Sequence, residues 1–168
     1  SALTGHLVLS SLHTNDAPTA IPRFIDMHIA PFLVAAVLNV IVAQRLVRHL
    51  CVDCIESYKT SPELIAEIRK QLTKMKIDPA RWNAPSVLFR GKGCAVCNNT
   101  GYRGRIGIFE ILNVDEAIRK AVISPNFSLD VISEIAAKNG MITMFEDGLR
   151  KAERGMTTIE EVLRVIRE

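Results

Sequence analysis

The sequence lacks any apolar run long enough to cross a bilayer. Its longest, Leu33 to Ala43, is 11 residues and is broken by Asn39, where a spanning helix needs about 20. No charged start followed by an apolar stretch marks a signal peptide. Aromatic residues are scarce, nine in 168 with a single Trp, and they form no basic–aromatic stripe on which bases could stack. Neither sign of charge dominates: 21 Lys and Arg against 18 Asp and Glu leave +3, too little to argue for nucleic acid. Internal repeats and low-complexity linkers are absent. So is a phosphate-cradling Gly-x-x-x-x-Gly-Lys-[Ser/Thr] loop, since Gly91-Lys92 runs into Gly93. No Gly-x-Ser-x-Gly, His-Glu-x-x-His or Gly-x-Gly-x-x-Gly motif is found.

What remains is globular in character, 48% apolar and 23% charged. A chain of this size buries about 70% of its unfolded surface, enough for one domain or a domain plus a small module. The expected setting is soluble and cytoplasmic. Ser1-Ala2-Leu3 leads almost at once into the apolar run Leu7 to Leu12, without cap or initiator Met, and reads as a piece cut from a longer chain.

The cysteines fall in two matched pairs, Cys51-Val52-Asp53-Cys54 and Cys94-Ala95-Val96-Cys97, with 39 residues between them. Two Cys-x-x-Cys pairs offer four thiolates to one tetrahedral ion, so Cys51, Cys54, Cys94 and Cys97 are expected to hold structural Zn2+. Gly91, Gly93, Gly101 and Gly104 around the second pair suit a tight knuckle, whereas no glycine follows the first. Four protein ligands close the ion to water, so its expected role is to hold a loop. The gap is longer than the 15–20 residues of a compact ribbon, so something folded must fill it. Disulfides lack a secretory context, a redox pair needs only one Cys-x-x-Cys, and iron–sulfur spacings differ.

Local signals give a coarse element order. Leu7 to Leu12 reads as a buried strand with His6 and His13 at its ends, followed by a helix capped at Asn15 or Asp16 and running to about Met27. Pro31 opens a second helix, expected to be buried, from Phe32 to about Val42. Gln44 to Val47 is expected as a strand. Ser61-Pro62 caps an amphipathic helix that ends before Asp78-Pro79. Ile106 to Leu112 alternates as a strand. Helices follow over Asp115 to Ile123, over Ser128 to Asn139 with Gly140 behind it, and from near Met141 to Gly155. A last helix opens on Thr158-Ile159-Glu160-Glu161, a capping box. Taken alone, these residues describe a zinc-stapled α/β domain without a complete active site.

Several segments together resemble one family. Thr4-Gly5-His6-Leu7-Val8-Leu9-Ser10-Ser11-Leu12-His13-Thr14-Asn15-Asp16 is similar to the His box of the ATPases that power type II secretion and type IV pilus assembly. The likeness continues through Gln44-Arg45-Leu46-Val47-Arg48, through the second cysteine pair with Gly101-Tyr102-Arg103-Gly104-Arg105 and Gly107-Ile108-Phe109-Glu110, and through Asp147-Gly148-Leu149 to Arg164. The family's P-loop, Asp box and Walker B segment are missing from these residues.

The resemblance implies an α/β fold: the C-terminal part of a RecA-like P-loop NTPase core with an inserted tetracysteine zinc module and a helical C-terminal tail. Residues 1–50 would belong to the core, 51–105 to the zinc module, and 106–168 to a strand plus helical subdomain. It implies a parent that hydrolyses ATP with Mg2+ as a cytoplasmic homo-hexamer, peripheral to the inner membrane through a platform protein, without a membrane span or nucleic acid. His6 and His13 would sense the γ-phosphate as catalytic residues. Arg105 would lie near the nucleotide. The tetracysteine module favours the secretion or pilus-extension branch. The competing expectations are a zinc-ribbon nucleic-acid-binding module and a chaperone-type zinc module.

Overall fold

A computed structural model describes residues 2–167. The chain is mixed α/β, in the order α1 (Ala20–Asp26), α2 (Pro31–Val37), β1 (Val40–Leu50), β2 (Ile55–Lys59), α3 (Pro62–Lys74), β3 (Val87–Gly91), β4 (Tyr102–Asn113), α4 (Glu116–Ile123), α5 (Leu129–Lys138), α6 (Met144–Glu153) and α7 (Ile159–Arg167). Short 3-10 turns cover Ala2–Thr4, Pro79–Arg81 and Ala95–Cys97. Strands β1 and β4 pair as one two-stranded sheet, and β2 and β3 as another. The chain divides into two compact units, Ser1–Arg45 with Phe109–Met144, and Leu46–Ile108 with Phe145–Glu168.

The first unit buries Ala17, Ile21, Val34, Ala35, Leu112, Ile118, Val122 and Ile132 in one core. Its helices start where the sequence supplies an acceptor. Asp115 accepts from the Ile118 N–H at 2.9 Å, and Ser128 from the Val131 N–H at 3.3 Å. Gly140 at φ +84° follows α5, where a side chain would strain the backbone.

The second unit packs Ile68 and Leu72 of α3 against Trp82, Leu88, Phe145, Leu149, Ile159 and Val162. Ser61 caps α3 by accepting from Leu64 N–H, with Pro62 at its first position, as its sequence indicates. The small antiparallel sheet aligns Ile55 with Gly91, Ser57 with Phe89 and Lys59 with Val87. This antiparallel strand pair and the α3 that connects it are the folded filling of the long gap between the cysteine pairs.

Several sequence expectations differ. Helix α1 begins at Ala20 behind Thr19, with no side-chain cap, and is not capped at Asn15 or Asp16. Residues 7–12, read as a buried strand, are without regular secondary structure, and Leu7 and Leu9 are 86% and 88% exposed. A strand is defined by its ladder partner, and β1 and β4 take each other. Helix α2 stops at Val37 instead of about Val42, and it is not buried all round: Phe32 is 65% exposed. Beyond Asn39 the β-branched run Val40-Ile41-Val42 is strand, because β-branched side chains fit a pleat better than a helix. Strand β1 therefore covers eleven residues where four were expected. The capping box of α7 is half formed: Thr158 Oγ1 accepts from the Glu161 N–H at 3.2 Å, while the Glu161 carboxylate turns to Arg48 and Arg164.

Candidate metal centre and its anchorage

The four cysteine sulfurs lie within 4.8 Å of one another. Cys51–Cys94 and Cys54–Cys97 are each 3.9 Å apart, and Cys94–Cys97 is 3.7 Å. A tetrahedral ion with Zn–S bonds of about 2.3 Å sets sulfurs about 3.8 Å apart, so the cradle has the right edge length. A disulfide would need about 2.05 Å.

The backbone explains how two knuckles meet. Cys51 donates its N–H to the Gly101 carbonyl, Lys92 to the Cys54 carbonyl, and Asn99 to the Cys94 carbonyl, at 2.9–3.0 Å. Gly91 and Gly101 face each other so closely that a Cβ on Gly91 would lie 2.2 Å from the Gly101 oxygen. The knuckle turns through Asn98 and Asn99, both at positive φ. The N–H groups of Cys94 and Gly101 point at Cys97 Sγ, at 3.2 and 3.3 Å. Burial pushes the Cys97 thiol up, but these donors outweigh it and hold it at about 6. Burial, with the neighbouring sulfurs, pushes Cys54 up to about 12, and burial also raises Cys51. Four thiolates this close need a cation to coexist. Donor type, spacing and N–H support all fit a tetrahedral metal held by Cys51, Cys54, Cys94 and Cys97, and four sulfurs complete its coordination.

The strand end that delivers Cys51 is itself fastened. Leu50 donates its N–H to the Met156 carbonyl at 2.9 Å, and Thr157 Oγ1 donates to the Arg48 carbonyl at 2.8 Å. Glu161 on α7 accepts from the Arg48 N–H (3.1 Å), the Arg48 guanidinium (2.7 Å) and the Arg164 guanidinium (2.7 and 3.1 Å). Arg48 lies over the Tyr102 ring at 4.2 Å, and the Tyr102 hydroxyl pairs with Thr158 Oγ1 at 2.9 Å. The one local signal for this network is the charge of Glu161 on a buried helix face; its partner Arg48 comes from distant chain.

The remaining expected site residues are placed as follows. His6 and His13 lie in the first unit on exposed, irregular chain, and His6 Nδ1 is 3.3 Å from Thr4 Oγ1. Arg105 is exposed on β4 in the second unit. The structure brings the cysteines together; the two histidines share a unit, and Arg105 lies in the other.

This geometry defines a mixed α/β protein with a four-cysteine cluster whose sulfurs are spaced to hold a metal ion. Comparison with known proteins then identifies its kind. Residues 1–164 match the family described as type II/IV secretion system protein. The chain is 45% identical over 163 residues to the type IV pilus assembly ATPase PilB of Thermus thermophilus, covering 97% of this chain and 17% of that protein. It is 42% identical over 168 residues to the type II secretion system ATPase E of Vibrio cholerae, covering 100% and 31%. It is 46% identical over 165 residues to the type II secretion system protein E of Xanthomonas campestris, covering 98% and 28%. The chain belongs to the type II/IV secretion system protein family. It spans about a sixth to a third of the length of these relatives. No helix among the described residues is long and apolar enough to cross a membrane.

Proposed function

We propose that these residues form the C-terminal part of an ATPase that powers type II secretion or type IV pilus assembly. The observation that carries this reading is identity above 40% along essentially the whole chain to ATPases named for those two machines. In this reading residues 1–50 complete a RecA-like core, 51–105 are a zinc module, and 106–168 a strand and helical subdomain. Zn2+ held by the four cysteines is structural. ATP and Mg2+ bind in the full-length protein, whose P-loop is contributed by other residues. His13, with His6, reads the γ-phosphate, and Arg105 supplies a cation to the nucleotide, since a planar guanidinium suits phosphate or an adenine face. The working assembly is a cytoplasmic homo-hexamer, coupled to an inner-membrane platform protein. The exposed apolar run at Leu7 to Leu12 supports the core assignment, because it has the composition of a buried strand.

The test is ATP turnover by a full-length protein that contains this chain. His13→Ala should lower kcat on the order of a hundredfold while changing nucleotide KM little, as for a contact that matters most when charge develops on the transferred phosphoryl group. Unchanged kcat would overturn the assignment of His13.

A further inference from the structure

Alternation along β4 buries Ile108, Glu110 and Leu112 on one face. A carboxylate among apolar neighbours costs free energy unless its oxygens are bonded, and Glu110 uses both. Oε1 accepts from the Ala17 N–H at 2.9 Å, and Oε2 from the Met144 N–H at 3.2 Å. Ala17 is itself fully buried and stands four residues after His13. The turn between them closes on itself: Thr14 Oγ1 donates to the Asp16 carbonyl at 3.1 Å, and the Thr19 N–H to Asp16 Oδ1 at 2.9 Å. The irregular chain before this turn forms no strand ladder. The Glu110–Ala17 bond therefore ties a self-contained turn, with His13 at its head, to the sheet.

From this geometry we infer that Glu110 is a positioning residue, setting where His13 stands through the backbone of Ala17 and fixing the start of α6 with its other oxygen. The functional half of this inference rests on the reading of His13 given above. Its chemistry is a division of labour between two oxygens: each accepts the N–H of a different segment, so a residue with one acceptor can serve only one of them.

Two near-isosteric variants separate the cases, read by amide hydrogen exchange in the 168-residue chain. Glu110→Gln keeps one carbonyl oxygen and turns an NH2 on the second donor, so the Ala17 or the Met144 amide should exchange about tenfold faster while the other stays slow. Glu110→Met keeps the volume with no acceptor oxygen, and both amides should speed up. The amides of Ile118 and Val122 in the same core, unchanged, report that the fold persists. Both amides at parental rates in either variant would overturn the tether. In the full-length ATPase, Glu110→Gln should lower kcat about tenfold at unchanged KM, and adding it to His13→Ala should cost nothing further. Full additivity in the double variant would refute action through His13 and leave the His13 reading intact. Parental kcat for His13→Ala would sink both.

Discussion

Replacing Glu161 with Gln measures what one buried carboxylate contributes to the second unit. Glu161 is 1% exposed. Burial alone would raise its pKa, but hydrogen bonds from Arg164 and Arg48, including the Arg48 N–H, outweigh burial and hold it at about 2 against an ordinary 4.5. At 1.36 kcal/mol per unit that displacement corresponds to about 3 kcal/mol favouring the folded, ionised form. This is an upper bound, because the Arg48 and Arg164 side chains are 48% and 47% exposed and water screens their charge. About 1–2 kcal/mol remains after that screening. The folded carboxyl is the stronger acid, so its contribution is whole above pH 4.5 and is lost as pH falls toward 2. Gln mimics the protonated acid at every pH. Parent and Glu161→Gln should therefore differ by about 1–2 kcal/mol at pH 7 and converge near pH 2. Contributions common to both proteins cancel in the difference. Urea unfolding followed by fluorescence of Trp82, the only Trp and a member of the second core, gives the measurement. A stability difference independent of pH, or none at pH 7, would refute the reasoning.

Elemental analysis should find one zinc per chain, with four thiols reactive to dye only after chelation; iron with a visible absorption band would contradict this. Gly91→Ala should loosen the metal and cost more than about 2 kcal/mol by chemical denaturation, because its Cβ meets Gly101 backbone that no side-chain motion relieves; parental zinc affinity would show that the knuckles are more pliable than drawn. The 168-residue chain alone should show no ATP turnover above background, since it contains no phosphate-cradling loop; turnover lost on mutating His6 or His13 would mean that it holds a complete site.

The features legible in the sequence are those whose physics is local. Ser61-Pro62, Asp115, Ser128 and Gly140 each decide a helix end within four residues, and each lies where the pattern puts it. The cysteine cradle is legible because knuckle geometry is written in Cys-x-x-Cys spacing. Strands β2 and β3 are not, since Ile55 and Gly91 are separated by α3 and neither segment declares its partner. The apolar run through Leu38 to Val42 suits helix and strand alike, with Asn39 as the single break. Leu7 to Leu12 shows the converse: an apolar run marks a segment that can be a strand, and only a neighbour makes it one. The buried carboxylates of Glu110 and Glu161 escape prediction because their donors come from distant chain, Ala17 and Arg48.

The knuckles also bear on how quickly this unit can fold. Pairing Ile55 with Gly91 without help requires closing a long, flexible excursion before any contact rewards it. Cys54 immediately precedes the first of those residues, and Cys94 follows the second by three. An ion that captures the thiolates first would turn the distant pairing into a neighbouring one. The strands could then zip away from it toward Lys59 and Val87, as a short hairpin does from its turn. Metal supply would then act on the rate at which newly made chains mature, with the slow route left to those synthesised when zinc is scarce.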